Sequence, residues 1–122
     1  MPQEILFENE SLFLNMVELE GPEKALEYYA GFRKANKTGQ LFSENSMNTL
    51  GYSFLSKKDY LTAIRLFEAN VESYPGSWNV YDSLGEACLA AGDRTKAREN
   101  YRKSVELNPQ NENGKKILAE MD

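Results

Sequence analysis

The sequence predicts an all-α protein, an array of antiparallel helical hairpins closed by one further helix. Three observations predict it. First, the chain repeats. Displaced by 34 residues, Asn45 falls on Asn79, Leu50-Gly51 on Leu84-Gly85, Leu55 on Leu89, Asp59 on Asp93, Ala63 on Ala97, Val71-Glu72 on Val105-Glu106 and Pro75 on Pro109. These are nine identities, with Phe67 on Tyr101 as an aromatic exchange, where roughly two would come from average residue frequencies. A period of this length marks stacked supersecondary units. Second, the apolar residues inside each period recur every three to four positions, the spacing of one helix face. Third, turn and capping residues stand between the apolar runs at the same repeat positions.

The elements follow in order. A divergent first unit spans 6–39. Leu12, Met16, Ala25 and Tyr29 there keep the internal spacing of Leu50, Phe54, Ala63 and Phe67. Phe13 stands at the position that Gly51 and Gly85 hold later, which removes the small residue from that contact. Gly21-Pro22 makes the turn, with Pro22 at a helix start. An offset of four residues within Lys37–Ser43 predicts a loop.

The second unit spans 44–77. Met47, Leu50, Phe54 and Leu55 mark its first helix, and Tyr60, Ala63, Ile64, Phe67 and Val71 its second. Asp59 is placed to accept from the free amides of the second helix, and Pro75 stops it. The third unit, 78–111, repeats this with Ser77 and Asp93 as caps. Gly51 and Gly85 fall inside helices, at a cost of about 1 kcal/mol relative to alanine. Their recurrence predicts close helix approach, with Ala63 and Ala97 as the small partners. A final helix over 111–121 turns Ile117 and Leu118 inward and Lys115 and Lys116 outward.

Leu50-Gly51, Phe54, Ala63, Phe67 and Pro75, then Tyr81, Leu84-Gly85, Ala97, Tyr101 and Pro109, resemble the signature of the tetratricopeptide repeat. The resemblance implies a right-handed α-α superhelix of about three such hairpins plus a C-terminal capping helix, whose concave side is the usual binding surface. Some domains of this family hold a peptide carboxylate with lysine, asparagine and arginine. The matching positions here are Glu10, Leu14, Thr49, Asn79 and Ser83, so the cations are missing and that activity does not carry over. From about Asn70 onward the chain also looks like the tetratricopeptide tail found behind bacterial serine hydrolases of the esterase and β-lactamase-like kinds. That implies an accessory module which shapes substrate access or oligomerisation.

Composition bounds the function. The 122 residues are 41% hydrophobic and 27% charged, with a formal net charge of -5. An acidic chain lacks the basic surface that displaces phosphate counterions, so no nucleic acid is expected. No apolar run reaches the roughly 18–20 residues of a membrane span. The N-terminus lacks the pattern of a signal peptide. With the single cysteine, this makes the cytoplasm the expected compartment, or the periplasm for a piece of a longer secreted parent.

Residues that suggest chemistry read as scaffold. Asp82-Ser83 has no activating partner, because the chain has no histidine and neither a Gly-x-Ser-x-Gly nor a Ser-x-x-Lys pattern. Cys88 aligns with Phe54, a core position, with no basic neighbour in view. Glu18, Glu20 and Glu23 lack the spacing of a calcium loop, so no metal or cofactor is expected. Arg94, Lys96, Arg98, Arg102 and Lys103 read as a water-facing side, with Glu99 and Lys103 spaced as an i,i+4 pair.

The binding candidates are the residues that periodicity turns away from the partner helix. These are Asn45, Asn48, Tyr52 and Leu55, with their counterparts Asn79, Asp82, Glu86 and Leu89. Asparagine can donate to and accept from an extended peptide backbone, and Tyr52 offers an aromatic anchor. The expected protein is non-catalytic and docks a protein or peptide, which the local acidity makes neutral or basic. A serine hydrolase domain in cis is one candidate partner, and a second copy is another.

Overall fold

The computed structural model describes residues 2–35 and 43–121, with side chains over 11–30 and 43–121. Among the described residues there are seven helices and no strand. They are α1 (Pro2–Glu20), α2 (Pro22–Ala35), α3 (Glu44–Ser56), α4 (Tyr60–Ser73), α5 (Trp78–Ala90), α6 (Arg94–Leu107) and α7 (Glu112–Met121). The all-α class and the tetratricopeptide-like hairpins are as the sequence predicts. Most of the predicted loop within Lys37–Ser43 lies outside the described residues. The chain forms two compact units, Met1–Ser46 and Met47–Asp122.

In the first unit α1 and α2 form one hairpin. Gly21, at φ 97°, takes the left-handed conformation that ends α1, and its amide donates to the Val17 carbonyl at 3.1 Å. Pro22 opens α2, where its missing N–H costs nothing. Phe13, Val17, Ala25 and Tyr29 are buried. Phe13 meets Tyr29 edge to face, with centroids 5.9 Å apart. This shifts the expected stripe. Phe13 and Val17 point inward, while Leu12 is 47% exposed and Met16 only half-buried.

The second unit holds the recognisable repeats, and its two hairpin turns are the same device. The Asp59 amide donates to Phe54 O at 3.0 Å and the Lys58 amide to Leu55 O at 2.9 Å. The pair recurs as Asp93 to Cys88 O at 2.9 Å and Gly92 to Leu89 O at 3.0 Å. This is the two-bond closure that satisfies the last carbonyls of a helix. It requires a left-handed residue, which is Gly92 at φ 89° in one copy and Lys58 at φ 66° in the other. The following aspartate then caps the next helix. Asp59 Oδ1 accepts from Thr62 N at 3.3 Å, and Asp93 Oδ1 from Lys96 N at 3.1 Å. Ser77 occupies the corresponding position before α5, but its side chain makes no capping bond. Beyond α4, the Tyr81 hydroxyl donates to Pro75 O at 2.8 Å and ties α5 to the turn before it.

The close approach at the glycines is real, and an aromatic ring comes nearest to each. A Cβ at Gly51 would fall inside the van der Waals envelope of the Phe67 ring, and one at Gly85 would lie 2.9 Å from Tyr101 Cδ2 and Cε2. Ala63 and Ala97 are fully buried, yet the atoms nearest each glycine belong to the aromatic ring one helix turn further along. The rings of Phe67 and Tyr101 thus lie against the glycines, in a core with Met47, Phe54, Leu66, Val80, Leu84 and Cys88.

Candidate functional site

The second unit aligns α3 and α5, and their facing side chains form the candidate site. Tyr52 and Glu86 stand 34 residues apart, in the same slot of successive repeats. The Tyr52 hydroxyl donates to Glu86 Oε1 at 2.9 Å and lies 3.2 Å from Ser83 Oγ. A phenol has one proton to give, and the carboxylate is the stronger acceptor. The Tyr52 ring packs edge to face on Phe67, with centroids 5.1 Å apart. Burial, with Glu86 and Asp82 adding negative charge, pushes the Tyr52 phenol up to about 12, while Ser83 acts the other way. Tyr52 is therefore half-buried and already engaged. Glu86 remains exposed and presents its second oxygen to solvent.

Asp82, one turn before Glu86, faces α7. Its Oδ2 accepts from Asn111 Nδ2 at 2.8 Å. The same Asn111 nitrogen donates to Ser104 Oγ at 3.0 Å, and Ser104 donates to the Trp78 carbonyl at 2.9 Å. Asn111 Oδ1 accepts from the Gly114 amide at 3.0 Å, capping α7. Asp82 is thus a strut for the closing helix as well as a carboxylate of the candidate face. The sequence reading missed Asn111 and Ser104. Asparagine directly before a helix start was the available signal for Asn111; nothing local marks Ser104.

The remaining candidates are less engaged. Asn48 sits at the repeat position of Asp82, and its Oδ1 is buried without a hydrogen-bond partner among the described residues. Asn79, Leu55 and Leu89 are half-buried on the same two helices. Asn45 is exposed, and it falls in the first unit rather than the second. The structure therefore brings together Tyr52, Ser83, Glu86 and Asp82, with Asn48 one turn before Tyr52 on α3.

No arrangement for bond-breaking chemistry emerges among these groups. Ser83 is 1% exposed and spent on Tyr52. Cys88 is fully buried, and burial raises its thiol's pKa. A basic neighbour does exist, contrary to the sequence reading: Lys96 acts on Cys88 in the lowering direction, outweighed by burial. No cluster of potential metal ligands occurs among the described residues, and no described helix is long and apolar enough to cross a membrane.

Of the basic residues of α6, Arg94, Lys96, Arg102 and Lys103 are exposed, as a water-facing side requires, and Arg98 is half-buried. Lys96 pairs with Glu68 of α4 at 3.2 Å. Arg98 donates to the Met121 carbonyl at 3.1 Å and Arg94 reaches it at 3.5 Å, where cations complement the negative end of α7. Glu99 and Lys103 form no ion pair; Glu68 instead joins Arg65 at 3.5 Å and Lys96.

The family comparison agrees with this architecture over one repeat. The tetratricopeptide repeat family matches over residues 78–111. No curated protein of similar sequence was found. Among solved structures, the chain is similar to MamA (residues 41 to the end) from Desulfovibrio magneticus RS-1. The two are 18% identical, and the match covers 95% of this chain and 82% of that one at a TM-score of 0.43. The resemblance to serine-hydrolase tails is finer than any of these matches and is carried by the sequence alone. Residues 78–111 match the tetratricopeptide repeat family, within an all-helical chain of tetratricopeptide-like hairpins.

Proposed function

We propose that the protein is a non-catalytic interaction module and that the α3–α5 face of its second unit docks a peptide segment rich in hydrogen-bond donors. The observation that carries this reading is the unpartnered, buried Oδ1 of Asn48. A buried acceptor without a donor costs about 1–3 kcal/mol, and a ligand N–H would offset that. The rest of the face has the same polarity. Asp82 and Glu86 add carboxylates, and none of the candidate residues is cationic. A neutral or basic segment complements it, through backbone amides or a lysine or arginine side chain.

The resemblance of the C-terminal half to serine-hydrolase tails favours one variant of this reading, in which the docked segment belongs to an enzyme domain on the same longer chain. The test is a peptide array probed with wild-type protein and with the Asn48→Ala and Glu86→Lys variants. Selective retention of neutral and lysine-containing peptides, lost in both variants, supports the proposal. Equal retention of acidic peptides, or variants that bind like wild type, contradicts it.

A further inference from the structure

Helix α1 keeps an apolar stripe at its surface. Leu12 is 47% and Leu19 is 84% exposed, with half-buried Met16 between them at helical spacing. With Asn15 and Glu20 they line an open cavity of about 210 Å³ on the first unit.

Single exposed leucines are ordinary. The repeat register makes these different. With Phe13 in the glycine slot, Leu12, Asn15 and Met16 stand where Leu84, Ala87 and Cys88 stand on α5, and Leu19 where the exposed Ala91 ends that helix. Leu84, Ala87 and Cys88 are buried, and α4, the second helix of the preceding hairpin, packs on α5. The face that takes a helix on α5 is thus apolar and exposed on α1.

Charge narrows the occupant. Glu18 and Glu20 of helix α1 are exposed, Glu20 at the cavity itself, and the helix contains no lysine or arginine. Two copies meeting α1 to α1 would set carboxylates against carboxylates, because a two-fold contact pairs the same patch with itself. We propose that this face of α1 receives an amphipathic helix of another polypeptide, apolar on one side and flanked by lysine or arginine, seated as α4 is on α5.

The test uses two synthetic helical peptides with the same leucine stripe and the length of α4, 14 residues. One is flanked by lysines and the other by glutamates. Fluorescence anisotropy measures their binding to the full chain and to the double variant Leu12→Ser/Leu19→Ser. The lysine-flanked peptide is expected to bind, and to weaken as salt screens the attraction. The glutamate-flanked peptide should bind roughly tenfold or more weakly. The double variant should lose the lysine-flanked peptide while its thermal melt stays that of wild type, because both leucines are exposed. Absence of binding, equal binding of the two peptides, or a double variant that binds like wild type overturns the proposal. So does concentration-dependent self-association of the wild type that the double variant abolishes, since that assigns the face to a second copy.

Discussion

Tyr52 and Glu86 occupy equivalent positions of successive repeats, 34 residues apart, and the phenol of one donates to the carboxylate of the other at 2.9 Å. A contact between equivalent positions is how a repeat measures its own stacking. The register of α3 on α5 is fixed by a bond that neither hairpin could make alone.

Burial of Tyr52, with the bond to Glu86 adding to it, makes stability depend on alkaline pH. A tyrosine in the unfolded chain titrates near 10, whereas Tyr52 in the folded chain is raised to about 12. The folded state therefore holds its proton longer. Its stabilising contribution is complete below about pH 10 and is lost as pH rises through about 12. Tyr101, buried in the same unit, is raised as well and acts in the same direction. Urea unfolding at a series of alkaline pH values should show stability falling across this window, with a shallower fall in Tyr52→Phe.

The glycine–aromatic contacts predict a graded response to added bulk. Gly51→Ala drives a methyl into the Phe67 ring, and the cost of overpacking, about 1–3 kcal/mol, exceeds the roughly 1 kcal/mol gained in helix propensity. Gly85→Ala, whose Cβ would lie 2.9 Å from Tyr101, should cost less, and Gly85→Leu more. Combining Gly51→Ala with Phe67→Leu should give a loss smaller than the sum of the two, because both act on one contact. Thermal melts of the four single variants and this pair check the order.

The two hairpin turns predict opposite signs at equivalent positions. Lys58 holds φ 66° without glycine's freedom, and Gly92 holds φ 89° with it. Lys58→Gly should raise stability by about 0.5–1 kcal/mol, because relief of the left-handed strain exceeds glycine's extra unfolded-state entropy. Gly92→Ala should lower it by about 1–2 kcal/mol. Denaturant midpoints at unchanged slope would confirm both.

Asn111 joins Asp82, Ser104 and the first turn of α7 in one group. Asn111→Ala removes a cap and leaves Asp82 and Ser104 short of a partner, a loss of about 1–3 kcal/mol. The effect should be local. Amide hydrogen exchange should quicken through α7 and leave α3 and α4 protected, whereas uniform quickening would show that the closing helix supports the whole unit.

Much of the fold was legible because it rests on periodicity. The 34-residue repeat, the aspartate caps and the proline stops are local patterns, and the second unit follows them closely. What escaped was decided by contact. The atoms nearest each glycine belong to an aromatic ring, and spacing alone does not say which residue comes closest there. In the first unit, Phe13 in a glycine slot rotates the buried stripe by one residue and leaves Leu12 outside. The candidate site was legible as a face. The sequence pattern brought Tyr52, Asp82 and Glu86 onto it, but it could not show that Tyr52 is bonded to Glu86 or that Asp82 props α7. Those bonds join residues about 30 positions apart, beyond the reach of any local rule.

The central claim is that the α3–α5 face is a docking surface for a donor-rich segment. Its most direct test is amide chemical-shift mapping of the second unit during titration with the strongest neutral or lysine-containing peptide from the array. The account predicts that the largest shifts fall on Asn48, Tyr52, Asn79 and Glu86, with a change at the Asn48 side-chain amide as its oxygen gains a donor. Shifts concentrated on the outward faces of α4 and α6, with the Asn48 side chain unmoved, would contradict it.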